Sequence, residues 1–162
     1  MAHKYYIGVD NGVSGSIGIV LWDGCYSFSH TPVKKELSYT KEKQWISRVD
    51  YSALMELLTA PKDDVFVAIE RPMINPMRFK ASMSACRSLE ATLLAVEAKG
   101  FPYIYLDSKE WQKAMLPSGL EGDELKKASL DIGKRTFPNI DWKKFKDADG
   151  LLIAEYCKRK GL

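Results

Sequence analysis

The chain has 162 residues, of which 46% are hydrophobic and 28% charged. That is the balance of a soluble globular protein, read here as one domain over residues 1–162 with a core of useful size. No apolar run approaches the length that crosses a bilayer, and the odd set Cys25, Cys86 and Cys157 argues against a disulfide framework or a zinc site. With 24 basic against 21 acidic residues the net charge is +3, which permits nucleic-acid binding without demanding it. Met1-Ala2-His3-Lys4 leads straight into a predicted strand with none of the features of a signal peptide, so a cytoplasmic location is expected.

In chain order, strands are expected over about 4–10, 16–22 and 25–31. Gly12 and Gly15 free the turn between the first two, and Asp23-Gly24 suits a tight hairpin before the third. The polar stretch 32–43 reads as a loop. Gln44 to Ala60 has helical periodicity through Trp45, Val49, Leu54, Leu57 and Leu58. Val65 to Ile69 is a continuous apolar run of strand length, consistent with a central strand buried on both faces. Arg71-Pro72 breaks it, and an apolar and basic loop, 73–80, follows. The helix expected over 81–98 has a small face, Ala81, Ala85, Ser88, Thr92 and Ala95, and a larger one, Met83, Cys86, Leu89, Leu93 and Val96. Two packable faces suggest two neighbours, the protein's own sheet and a partner subunit. A strand over 101–106, a short helix through Trp111 and Met115, a helix from Asp123 to Arg135 and a last helix over 148–159 complete the order. The pattern is that of an α/β fold with a mixed sheet, an antiparallel meander plus parallel strands, flanked by helices.

Three acids stand at ends of these elements. Asp10 ends the first strand, Glu70 closes the central one, and Asp149 opens the last helix. Carboxylates brought together from distant places are what a two-metal site needs: Mg²⁺ takes oxygen ligands and keeps several waters. Two such ions roughly 4 Å apart can activate a water and stabilise a leaving oxygen in phosphodiester hydrolysis. Serine–histidine chemistry is hard to build here, because His3 and His30 are not near a serine in an obvious elbow; both histidines are expected to be structural.

Ile7-Gly8-Val9-Asp10 with its glycine-rich turn, Ala68-Ile69-Glu70 with its proline-containing loop, and Asp149 followed by Leu151-Leu152-Ile153-Ala154 resemble the RuvC-type Holliday junction resolvases. Trp111-Gln112-Lys113-Ala114-Met115-Leu116-Pro117 and the ending Leu-Leu-Ile-Ala-Glu-Tyr look most like the bacteriophage branch. The resemblance implies a ribonuclease H-like fold with a five-stranded sheet. It implies a homodimer through the helix 81–98 that nicks opposing strands of a four-way DNA junction, leaving 5′-phosphate and 3′-hydroxyl ends. The cofactor implied is two Mg²⁺ per site, with Mn²⁺ as substitute. Asp10, Glu70 and Asp149 match the family's metal-binding carboxylates, and the loop after Glu70 matches the segment that enters the junction. Its phenylalanine position is Met73 here, with Phe79 further on. Arg71, Met73, Arg78, Phe79, Lys80, Lys143, Lys144 and Lys146 are the expected DNA-contacting residues.

The family's fourth acidic position, three before the last aspartate, is Lys146 in this chain, and the nearest extra acid is Asp147. Successive helical residues turn by about 100°, so Asp147 and Asp149 would point roughly 160° apart within a helix. Asp147 can join the site only from an extended or capping position before the first turn. It is taken as the fourth metal-side and catalytic residue, with Lys146 as the alternative. Other readings are a different nuclease of the same fold acting on flaps, RNA–DNA hybrids or RNA, or a junction-binding protein without catalysis. A sugar-kinase-like phosphotransferase would need a second domain and a second phosphate loop.

Overall fold

A computed structural model of the chain describes residues 3–162; Met1 and Ala2, read above as the lead-in to the first strand, lie outside the described residues. The elements are β1 (Tyr5–Asp10), β2 (Ser16–Leu21), β3 (Tyr26–His30), β4 (Val33–Leu37), β5 (Trp45–Val49), α1 (Tyr51–Leu57), β6 (Val65–Glu70), α2 (Phe79–Lys99), β7 (Tyr103–Leu106), α3 (Ser108–Met115), α4 (Asp123–Thr136) and α5 (Asp149–Lys160). Five strands form the expected mixed sheet in the order β3-β2-β1-β6-β7. The β1–β2 and β2–β3 pairs are antiparallel, and β6 runs parallel to both β1 and β7.

Alternation along the strands divides the core in two. Ile7, Val9, Ile17, Ile19, Val67 and Ile69 face one side, where they pack with Leu54, Leu58, Ala95 and Val96 from the α1 and α2 layer. Tyr6, Val20 and Ala68 face the other and meet Trp111, Leu151, Leu152 and Ile153 from α3 and α5. On that second face α5 lies directly on the backbone of β1 and β2, because Gly8 and Gly18 carry no side chain. A Cβ at Gly8 would land on the Gly150 carbonyl oxygen and the Ala154 nitrogen, and one at Gly18 on the backbone of Leu151. The Gly150 N–H, free at the start of the helix, donates to the buried Ser16 Oγ of β2 at 3.2 Å.

The expected loop over 32–43 and helix over 44–60 are replaced by a separate two-stranded hairpin and a short helix. β4 and β5 pair antiparallel from Val33↔Val49 to Leu37↔Trp45. Asp50 then starts α1, its carboxylate accepting from the Ala53 N–H at 3.2 Å. Val49, Leu54 and Leu58 of the expected apolar face are buried, while Trp45 is 70% exposed. A β-prone run before a capping aspartate pairs with a strand that no local pattern exposed.

α2 begins at Phe79, so Phe79 and Lys80 belong to its first turn and not to the preceding loop. Asn75 accepts from the Met77 N–H, Pro76 opens a 3₁₀ turn over Pro76–Arg78, and Ser82 Oγ bonds both backbone groups of Asn75. The helix ends at Gly100 in the left-handed conformation (φ 66°). Its small face is also not free: Ser88, Thr92 and Ala95 are buried within this chain. Cys86, Glu90, Leu94 and Ala98, one helical stripe, are exposed instead. Both histidines have packing roles. His3 stacks on Phe66, and His30 stacks on Phe145 with its Nε2 bonded to the Lys144 carbonyl. No cysteine is paired among the described residues, and no helix there is long and apolar enough to cross a membrane.

Candidate metal centre

Asp10 and Glu70 end the neighbouring parallel strands β1 and β6, so chain direction alone brings them to one edge of the sheet. The glycine contacts that seat α5 on β1 and β2 deliver its first residue, Asp149, to the same edge. Asp147 stands just outside the helix. Ala148 occupies the cap position, and Asp147 Oδ1 accepts from the Asp149 N–H at 3.3 Å. That turn removes the divergence a helix would impose. One carboxylate oxygen from each of Asp10, Asp147 and Asp149 lies within 4.8 Å of the others. Glu70 completes the cluster from the Asp10 side, near enough for the two carboxyl groups to share a hydrogen bond.

The cluster is electrostatically unfavourable by itself. Burial, then the charges of Glu70, Asp149 and Asp147, hold the Asp10 carboxyl well above the usual carboxylate range. Burial also raises Glu70, against hydrogen bonds from Trp111 and Asp10 that lower it. Asp149 is pushed up to about 7 by burial and by Asp147, partly offset by the Ser129 hydrogen bond and the Lys126 charge. None of the four acids forms an ion pair among the described residues.

Two neutral donors fix these acids. The fully buried Trp111 donates its indole N–H to Glu70 Oε1 at 2.8 Å. The fully buried Ser129 donates to Asp149 Oδ1 and accepts from the Ala148 N–H at 3.0 Å, which ties α4 to the start of α5. The sequence marks Trp111 as a helix residue and as the start of the run that resembles the bacteriophage branch, and Ser129 not at all; neither carries a local signal for this role. Asn11, also unmarked, donates to the Ala85 carbonyl at 3.2 Å, while its Oδ1 is buried without a partner.

A Trp111→Phe variant keeps the ring in the core and deletes the donor. Removal of a hydrogen bond that orients a metal-side ligand typically costs about 10- to 100-fold in metal affinity or activity. We expect a loss of that size in an Mn²⁺ titration, with the far-ultraviolet circular dichroism unchanged. A titration curve that overlays the wild type would make Trp111 core filler only.

The expected DNA-contacting residues divide among three places. Arg71, Met73 and Arg78 line a cleft of about 430 Å³ together with Asn11, Glu70 and Asp149. Arg71 is held there by Asp107 at 2.9 Å and lies over the Tyr105 ring, so Asp107 serves this pair and makes no side-chain cap for α3. Met73 is 83% exposed, and Ile74 and Met77 beside it are also exposed. Phe79 and Lys80 line a different groove, on the other side of the first turns of α2. Lys143, Lys144 and Lys146 are exposed on the segment before α5 and do not line the cleft; the Lys144 ammonium is engaged by Asp141 at 3.2 Å.

No protein-family model matches the sequence, and no curated protein matches it. Solved structures do. The chain is similar to RuvC of T. thermophilus in complex with a Holliday junction substrate, at 17% identity over 98% of each chain and a TM-score of 0.64. It is also similar to a further Thermus thermophilus RuvC structure, at 16% identity over 96% of this chain and 95% of that one, with a TM-score of 0.50. At these identities the likeness shows the fold: the five-stranded mixed sheet flanked by helices is the ribonuclease H-like α/β fold that RuvC has.

Proposed function

We propose that this protein is a metal-dependent endonuclease that resolves four-way DNA junctions, in the manner of the RuvC-type resolvases and their bacteriophage branch. One observation carries the reading: half-buried acids from β1, β6 and the start of α5 converge at one edge of a fold shared with a RuvC bound to a Holliday junction.

The residues fit hard divalent cations. The donor set is all oxygen, it carries excess negative charge, and the partnerless Asn11 Oδ1 lies among residues of the same cleft. Two Mg²⁺ ions, or Mn²⁺ in their place, would supply an activated water and stabilisation of the leaving 3′-oxygen. Asp10, Asp147 and Asp149 would hold them, with Glu70 oriented by Trp111 completing the set. The remaining work falls to the chain's own groups. Arg71 and Arg78 at the rim of the cleft neutralise backbone phosphates. Met73 and its exposed neighbours contact unstacked bases at the crossover. Lys143, Lys144 and Lys146 extend the basic surface beyond the cleft.

Paired cutting requires two sites related by two-fold symmetry. We assign the dimer contact to the exposed stripe of α2, Cys86, Glu90, Leu94 and Ala98, and not to the buried small face. Leu94→Arg is the informative variant, because Arg at the buried Thr92 would disrupt the monomer itself.

The test sets a labelled four-way junction beside a linear duplex, a flap and an RNA–DNA hybrid, in Mg²⁺ and in Mn²⁺. Symmetric nicks in opposing strands of the junction, with 5′-phosphate and 3′-hydroxyl ends, are expected. Preferential cutting of the flap or the hybrid would move the protein to another nuclease class, and no cutting of any substrate would leave a binding protein.

Stability gives a second readout. Asp10, Glu70 and Asp149 all have folded-state values above their ordinary ones. Their protonated forms therefore favour the folded state, and that contribution, present near pH 4, is lost as pH rises toward 7. Without divalent metal, the melting temperature should fall between pH 5 and pH 7.5. Mn²⁺ should raise it more at pH 7.5 than at pH 5. Equal stabilisation at the two values would mean that the ion does not bind this cluster.

A further inference from the structure

The β4–β5 hairpin is not part of the main sheet, and its outer half buries little. Its tip is ordered by its own bonds: the Ser38 N–H donates to the Gln44 carbonyl at 2.7 Å, and the Thr40 N–H to Ser38 Oγ at 3.2 Å. Tyr39 is 67% exposed and Trp45 70%. Residues 33–49 hold five basic and two acidic side chains, a net charge of +3 that equals that of the whole chain. Glu36 is taken by Arg48 at 2.8 Å, which leaves Lys34, Lys35, Lys41 and Lys43 opposed by Glu42 alone. Exposed aromatics interleaved with unpaired lysines serve no core.

Between this tip and the first turns of α2 runs a groove of about 690 Å³, a volume in the range of binding sites. Tyr39, Lys41, Phe79, Lys80, Met83 and Arg87 line it. Arg87 is the telling residue. Its guanidinium lies over the Tyr39 ring at 5.8 Å, it makes no ion pair, and its Nε is buried without an acceptor. A buried donor with no partner calls for an anion or an acceptor from outside. The groove shares two walls with the acidic cleft: the first turns of α2, and the β1–β2 turn, which puts Asn11 in the cleft and Val13 in the groove.

We propose that this groove is a second nucleic-acid site, which takes a strand other than the one lying across the acids. Phosphates sit on Arg87, Lys41 and Lys80, and an unstacked base lies against Tyr39 or Phe79. Such a pairing of basic groups with aromatic platforms binds single strands with little sequence preference. The hairpin thereby holds a neighbouring strand or arm of a branched substrate while the cleft engages another. This inference rests on the reading of the protein as a nuclease of branched DNA.

The experiment measures fluorescence anisotropy of a labelled four-way junction and a labelled single strand in EDTA, where cutting is off, across a salt series. Tyr39→Ala/Lys41→Glu should weaken binding of both by roughly 10-fold or more and reduce the salt slope. Lys41→Glu alone, at an exposed position outside the core, should weaken binding in the same direction, and keeps the test valid where the double variant melts early. Sedimentation of each variant should match the wild type. Binding within twofold of the wild type for both variants overturns the proposal. So does loss of self-association in step with loss of binding, which would give the groove to a second copy of the chain. Wild-type cutting is measured separately. Hairpin-dependent binding without junction cutting keeps this inference and removes the nuclease reading, and cutting with hairpin-independent binding does the reverse.

Discussion

Asp10→Asn is expected to abolish junction cutting, by about 10³-fold or more, while leaving junction binding within a few-fold of the wild type. The size follows from what the charge does. A ligand carboxylate that holds a catalytic cation supports several kcal/mol of transition-state stabilisation, and every ~1.4 kcal/mol is tenfold in rate. Binding should survive because the phosphate contacts proposed for this protein belong to Arg71, Arg78 and the lysines, none of which pairs with Asp10. The same substitution should stabilise the metal-free protein. Asp10 is held high by burial and by the charges of Glu70, Asp149 and Asp147, so a neutral isostere relieves repulsion that the folded chain otherwise carries. A rise of a few degrees in melting temperature alongside lost cutting separates a functional charge from a folding defect, which would move both downward. Cutting near the wild-type rate would remove Asp10 from the site. Glu70→Gln should lose activity in the same way.

Gly8→Ala is expected to cost about 3 kcal/mol or more. Overpacking usually costs about 1–3 kcal/mol, because neighbouring side chains can shift. Here the added methyl meets backbone, the Gly150 carbonyl oxygen and the Ala154 nitrogen, so α5 as a whole must lift from β1. At roughly 2–4 °C per kcal/mol for a chain of this size, the melting temperature should fall by about 6–12 °C. Lifting α5 also moves Asp147 and Asp149 away from Asp10, so cutting should be lost even at temperatures where the variant is folded. Gly119→Ala is the control. Its φ of 81° makes alanine strained there, but no atom lies within contact distance of the added methyl, so a small loss of stability with activity retained is expected. A Gly8→Ala protein that melts and cuts like the wild type would refute the argument that helix–sheet proximity sets the cluster.

The five strands of the main sheet are legible in the sequence: β1, β2, β6 and β7 are apolar runs bounded by glycine, proline or a polar turn, and β3, which alternates, follows the Asp23-Gly24 hairpin turn. The sequence by itself also determined α2 to α5 within a residue or two, and the acids at their ends, because a strand that runs out at Asp10 or Glu70 presents its last side chain at the sheet edge. It misread 32–60. Trp45, Val49, Leu54 and Leu58 satisfy a helical period, yet Trp45–Val49 pairs with Val33–Leu37, and pairing is a property of two segments that no single window contains. The outward face of α2 was open for the same reason: small and large faces are both packable, and only docking on the sheet buried Thr92 and exposed Leu94. Tertiary structure alone decided the geometry of the acids. The Trp111–Glu70 hydrogen bond spans 41 residues and the Ser129–Asp149 bond 20. Asp147 reaches the cluster because the chain bends before α5, and α5 lies where it does because two glycines on neighbouring strands let backbone meet backbone. Local sequence sets which groups end an element; only long-range packing, with its distances of a few ångström, sets which of them meet.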